Sequence, residues 1–340
     1  MSAPPFTTTA RVPAARAFAL LGALYVVVVL ASLSFGTSPI SIMRAISDDA
    51  SSDHSLLFSV RLPRVLVASF AGAGLAITGV ALQNALCNPL AEPFVLGVSG
   101  GAALGATLAI AVGVDVATWW GSSSIAVLSI GLGLAATVFV HAMVKGARSV
   151  EHGGVRVLLA GIAVNSLAAS AITILKALVP ASRLQSLVFW LMGFIEVPHT
   201  AELVRLVALT CVGSWMLVRH RRDINVLALG APAAAHLGVD VPRLERNVHV
   251  ACALIVAGVA STTGLIGFVG LLVPHVLRRM LGPDARLLLP ASLLGGAITL
   301  VACDAIAHVA FRVLDQTLPV GAVTAAMGAP LFLFLLARRA

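Results

Sequence analysis

Asn247-Val-His-Val-Ala-Cys-Ala-Leu-Ile-Val-Ala-Gly-Val-Ala-Ser-Thr-Thr-Gly-Leu-Ile-Gly-Phe-Val-Gly-Leu-Leu-Val-Pro-His-Val-Leu277 runs for 31 residues without a formal charge. As one tilted helix it would put Arg243 and Arg246 on one side of a bilayer and Arg278 and Arg279 on the other. The polar break at Ser261-Thr262-Thr263-Gly264 offers a second path. The chain crosses, turns, and returns as a shorter helix ending near Pro274, so both basic clusters lie on one side. Two full crossings need ~40 residues. The returning helix is therefore partial and must be buried in protein rather than lipid. Basic residues gather in cytoplasmic loops, which favours the second path.

The rest of the chain reads the same way. Charge-free runs occupy Val65–Leu86, Phe94–Val114, Val116–Val144, Val157–Leu175 and Gln316–Ala337. Each can cross a ~30 Å core at 1.5 Å per residue. Ala17–Phe35 is span-length, longer than a signal-peptide core, and is taken as the first span. Ala201–Val218 and the run from Leu287 through Asp304 toward Phe311 complete the set. Leu184–Ile195 is too short to span and reads as an interfacial helix. The expectation is an all-α polytopic membrane protein with ten transmembrane helical segments and both ends inside.

Composition excludes the alternatives. Apolar residues make up 59% of the 340 and charged residues 11%, with a mean hydropathy of +1.02. Soluble domains carry roughly 25% charge, so most of this surface must face lipid. The net charge is +8. With ten segments the 22 Lys and Arg residues divide into 15 inside and 7 outside, which fits the positive-inside rule rather than nucleic-acid binding. Cys87, Cys211, Cys252 and Cys303 are too scattered for a zinc site or a disulfide framework.

Arg61-Leu-Pro-Arg64 opens the second span and Arg243-Leu-Glu-Arg246 the seventh. Each leads into a small-residue helix, then a break and a proline, Pro89 or Pro274. Five spans separate the two, so the echo suggests an inverted five-helix repeat, with halves at about 17–200 and 201–339 after a cytoplasmic tail at 1–16. Gly97, Gly101 and Gly105 line one face of the third span, for close packing or for a pathway. Pro330 is expected to kink the last span.

No P-loop and no H-E-x-x-H occurs in the sequence, and the mid-span positions carry almost no charge. Ion-coupled carriers usually need such charges, so energy for transport would come from an ATP-hydrolysing partner; an ion-coupled secondary carrier of a bulky solute is the alternative, and a non-transporting scaffold a third. The docking candidate lies in the cytoplasmic loop at 223–246. There Leu229, Gly230, Pro232, Ala233, Ala234, Ala235, His236, Leu237 and Gly238 read as a short small-residue helix. Pro232 suits a first helical position and Gly238 a C′ stop.

The run from Arg61-Leu-Pro-Arg64 through Gln83-Asn-Ala-Leu-Cys-Asn88-Pro89-Leu90-Ala91-Glu92-Pro93 to Leu96-Gly97-Val-Ser resembles the iron-chelate permease family. So do Gly264-Leu-Ile-Gly267-Phe268-Val-Gly270-Leu-Leu-Val-Pro274-His275, Gly282-Pro283-Asp284, Leu318-Pro319-Val-Gly321 and Gly328-Ala-Pro330. The family comprises the membrane subunits of type II ATP-binding-cassette importers for iron–siderophore, haem and cobalamin. The resemblance covers about Ala17 to Arg339. It implies a type II permease fold working as a homodimer in the bacterial inner membrane. Two copies of a separate ATPase and a periplasmic binding protein would be its partners, and no cofactor or metal would be bound by this chain. It also implies a path lined by the fifth and tenth spans, and a cytoplasmic gate at Asn88, Pro89 and Leu90. Arg61 and Arg64 would receive acidic residues of the binding protein. The third docking cation would be Arg312 or, in its place, His308, because Cys303-Asp304-Ala-Ile-Ala-His308 departs from the family's usual Ala-Asp-x-x-Ala-Arg. Pro274, His275, Arg278 and Arg279 would form a second cytoplasmic contact. Lys176 and Arg183 are either outer-mouth solute contacts or interfacial anchors. Ferric siderophore is the favoured solute, with haem and cobalamin the other two.

Overall fold

The computed structural model describes residues 13–36, 40–114, 118–145 and 153–337, and every regular element among them is helical. In chain order these are α1 (Ala14–Ser34), α2 (Ile42–Ser47), α3 (Ser52–Ser55), a π-helical turn (Leu56–Arg61) and α4 (Leu62–Ala85). A 3-10 turn (Pro93–Leu96) leads into α5 (Val98–Val112), α6 (Trp119–Lys145), α7 (Gly153–Leu178) and α8 (Ala181–Met192). Then come α9 (Thr200–Arg219), α10 (Arg221–Leu227), α11 (Ala231–His236), α12 (Val241–Thr263), α13 (Val269–Leu281), α14 (Ala285–Leu314) and α15 (Val320–Ala337). Helices occupy all ten expected segments. Among the described residues, seven helices are long and apolar enough to cross a membrane, while Val98–Val112 and Val320–Pro330 are shorter apolar stretches.

The core is built on α4, whose most apolar window is 83% buried, whereas that of α1 or α7 is only 17% buried. Small residues let its backbone meet other backbones. A Cβ on Gly72 would run into the Gly296 carbonyl of α14, and one on Gly296 into the Gly72 carbonyl. Without side chains at this crossing, the two helices touch main chain to main chain. Gly101 and Gly105 of α5 do the same against the Leu132 and Leu128 carbonyls of α6. Those two expected pathway or packing glycines are thus packing residues. Gly97 stands apart from them, before α5, with φ 78°.

The break at 261–264 falls where the sequence placed it. Helix α12 ends at Thr263, and Gly264 takes φ 68°. The hydroxyls of Ser261, Thr262 and Thr263 bond back to carbonyls of their own helix, at Gly258, Gly258 and Val259. The return helix is longer than expected. It does not stop near Pro274 but continues to Leu281, with Pro274 inside it. A proline frees the carbonyl four residues earlier, here that of Gly270. The Gln83 side-chain amide of α4 donates to that carbonyl at 3.3 Å, so the helix passes through its proline with the freed acceptor satisfied.

The chain does return to the side it left. Arg278 near the end of α13 donates to Asn84 Oδ1 at the end of α4, at 3.0 Å. Ala285 N–H at the start of α14 donates to Asn225 Oδ1 of α10 at 2.9 Å. Helix α8 has 12 residues, too few to span. Its Leu187 is fully buried against Ala106, Ala109 and Ile110 of α5 and Ile125 of α6, while Phe189 and Met192 are exposed.

Candidate functional site

The expected cytoplasmic gate is a turn built on a helix stop. Helix α4 ends in a Schellman motif: Asn88 N–H reaches the Gln83 carbonyl at 3.0 Å and Cys87 N–H the Asn84 carbonyl at 3.3 Å. The left-handed residue such a stop requires is usually glycine. Here it is Cys87, with φ 47°. Asn88 Oδ1 then accepts from Leu90 N–H at 3.0 Å, an Asx turn that fixes Asn88, Pro89 and Leu90. Leu90 is exposed.

The loop segment sits beside this turn. The Cys87 thiol donates to the Leu227 carbonyl at 3.4 Å, and Leu227 ends α10, three residues before Gly230. Partial burial pushes the Cys87 thiol above its ordinary pKa, with the Gly230 backbone pulling it back. Helix α11 starts at Ala231, so Pro232 is its second residue rather than its first. It ends in another Schellman stop at Gly238, φ 85°, with Val239 N–H on the Ala234 carbonyl at 3.0 Å. Ala234 is fully buried, while Leu229 and Leu237 are 68% and 64% exposed on either side of the helix. Gly230, Ala233, Ala235 and His236 complete the expected segment around them.

Helix α13 contributes unevenly to this face. Pro274 is buried in the bundle, His275 is half-buried and Arg279 is exposed. Arg278 is engaged by Asn84.

At the opposite end the expected docking arginines already have partners. Arg64 forks onto Asp304 of α14, Nε to Oδ2 at 3.1 Å and Nη2 to Oδ1 at 2.8 Å. The side chains of this pair are 18% and 4% exposed. Nη2 also lies 2.9 Å from His308 Nδ1. Arg61 Nη1 donates to the Leu33 and Ser34 carbonyls at 2.5 and 3.1 Å, closing the C-terminal end of α1. Arg61, Arg64 and His308 line one crevice with Phe35 and Asp304. The side chain of Arg312 lies outside the described residues. Arg183 caps another helix, its Nη1 on the Ala111 carbonyl of α5 at 3.0 Å. Lys176 is half-buried in the last turn of α7.

Sequence reading missed a cavity of about 460 Å³ lined by Ser122, Phe189, Trp190, Glu196, His199 and Thr262. It also missed two tethers. Glu92 Oε1 accepts from Phe268 N–H at 2.5 Å. Asn165 of α7 donates from Nδ2 to the Phe94 carbonyl at 2.6 Å and accepts at Oδ1 from Gly100 N–H at 3.1 Å. Glu92 could have been found as a lone acid between long apolar runs, but Asn165 left no signal of its partners.

Long apolar helices, with one pair broken so that the connecting backbone is held inside the bundle, define an integral membrane protein of the permease kind. The match to known proteins carries this to a family. The chain belongs to the FecCD transport family, whose model matches residues 24–338. It is similar to the vitamin B12 import system permease protein BtuC of Vibrio cholerae, 38% identical over 290 residues and 85% of each chain. The cobalamin import system permease protein BtuC of Halobacterium salinarum is 36% identical over 284 residues, 83% of this chain and 73% of the relative. The hemin transport system permease protein HmuU of Yersinia pestis is 32% identical over 322 residues, 93% of each chain. Among solved structures, an inward-facing metal-chelate type ABC transporter superposes with a TM-score of 0.83 at 29% identity, covering 96% of this chain and 99% of that one.

Proposed function

We propose that this chain is the membrane permease subunit of an ATP-driven importer of a bulky metal chelate. It would work as a homodimer in the bacterial inner membrane, with ten crossings per subunit and both termini cytoplasmic. Two ATPase copies would bind the cytoplasmic face and a periplasmic binding protein the outer face. On this reading the chain holds no cofactor, and ATP is used by the partner. The observation that carries the reading is the junction at Cys87 and Leu227, where the segment expected to meet an ATPase touches the turn expected to gate the path.

In the cycle, ATPase closure pushes α11, α10 carries the push to Cys87, and the turn at Asn88–Leu90 opens. Exposure selects the point of contact. Cysteines at Leu229 or Leu237, rather than at buried Ala234, should cross-link to the partner ATPase. Failure at both exposed positions would remove the coupling assignment. On the outer face, charge reversal at Arg61 and Arg64 together should weaken binding-protein docking about tenfold at moderate salt. Equal capture of the folded double variant and the wild type would refute the docking role.

Ferric siderophore is the solute we place first, on its frequency in the family. Cobalamin is the second reading, favoured by the names of the 38% and 36% identical relatives. Competition among ferric siderophore, haem and cobalamin in an uptake assay separates them.

A further inference from the structure

The segment from Glu92 to Gly100 lies between the gate turn and α5, and it is held at three points by other helices. Asn165 uses both ends of its amide there, on the Phe94 carbonyl and the Gly100 N–H. That ties the segment to α7, the fifth span. Gly100 is flush against Asn165, with no room for a Cβ. Glu92 ties it the other way. Its carboxylate accepts the N–H of Phe268, the N-cap residue just before α13, with φ 67°. A carboxylate at a helix N-terminus satisfies an orphan donor and meets the positive end of the helix dipole. Glu92 is therefore a cap supplied from a distant part of the chain. The Phe268 side chain in turn rests on Gly328 of α15, the tenth span, where a Cβ would come within 2.5 Å of it. The first turn of α13 is also tied to α4 by Gln83, at the Gly270 carbonyl, and its last turn by Arg278.

We propose that Glu92 and Asn165 are positioning residues that tether the gate turn to α15 and α7, so that the turn and both helices shift together when the coupling loop is pushed. This rests on the importer reading. What matters on Glu92 is an acceptor oxygen, and on Asn165 the paired donor and acceptor.

The test uses the full complex with its ATPase in nanodiscs and a water-soluble maleimide as probe, so no solute is needed. In a Cys211→Ser background, Cys87 reports the gate turn. Met327→Cys and Leu167→Cys, both exposed, report α15 and α7. The readout is the ratio of labelling rates with and without vanadate-trapped nucleotide. With Glu92 and Asn165 intact, all three positions should respond. Glu92→Ala should cut the Met327→Cys response about tenfold, the scale of one lost charge-assisted hydrogen bond. Cys87 should still respond and ATP hydrolysis should continue. Glu92→Gln, which keeps the oxygen, should restore the response. Asn165→Leu should uncouple Leu167→Cys in the same way, which covers the case that Glu92→Ala does not assemble. Helix reporters that still follow the nucleotide in both variants overturn the tether, as do reporters that never respond beside a responding Cys87. A Cys87 that ignores nucleotide altogether sinks the importer reading, and the tether with it.

Discussion

Gly72→Val should leave almost no stably folded protein in a detergent extract of the membrane. The side chain has nowhere to go: even its Cβ would lie 2.2 Å from the Gly296 carbonyl oxygen. The obstruction is backbone, which no rotamer change can clear. Overpacking a core against side chains costs about 1–3 kcal/mol, and here α4 and α14 must separate along their crossing, so the loss should exceed that range. The same substitution at Gly131 of α6, where a Cβ meets nothing within 4 Å, should be tolerated. Monodisperse yield by size-exclusion chromatography checks both. A well-folded Gly72→Val variant would mean that the α4–α14 crossing is not the centre of the bundle.

Asp304→Ala should be the most damaging single polar substitution. It strips Arg64 of both of its carboxylate bonds and leaves a guanidinium largely buried. Removing one member of a buried pair costs about 3–5 kcal/mol, whereas replacing both by apolar residues can be nearly neutral. Arg64→Met/Asp304→Leu should therefore recover most of the denaturation midpoint lost by Asp304→Ala. A double variant as unstable as the sum of the singles would show that the two residues act independently. The pair also refines the docking role. Arg64 is held in place by Asp304 and His308, so a loss of docking on its reversal counts only beside an intact yield.

Much of the architecture can be read from local sequence because a membrane leaves few choices. Ser261-Thr262-Thr263-Gly264 interrupts an apolar run too long for one helix and too short for two, and the chain turns there. Gly238 stops α11 because a left-handed residue is needed at that point. What failed to show depends on partners far along the chain. Pro274 looked like a helix end because its rescuer, Gln83, lies 187 residues from the Gly270 carbonyl that the proline frees. Arg64 looked like a free surface cation because Asp304 is 240 residues distant. The run Ala233-Ala234-Ala235 looked uniform, yet Ala234 is the buried one, a difference set by how α11 rests on its neighbours. Glu92 stood within a recognised motif, but its role appears only when Phe268 is brought beside it.

The most direct test of the importer reading is accumulation in sealed vesicles. With the ATPase, the binding protein and a loaded chelate present, uptake should require ATP and persist after proton and sodium gradients are collapsed. This polypeptide alone should accumulate nothing under either gradient. Uphill uptake by the lone chain on an ion gradient would contradict the account.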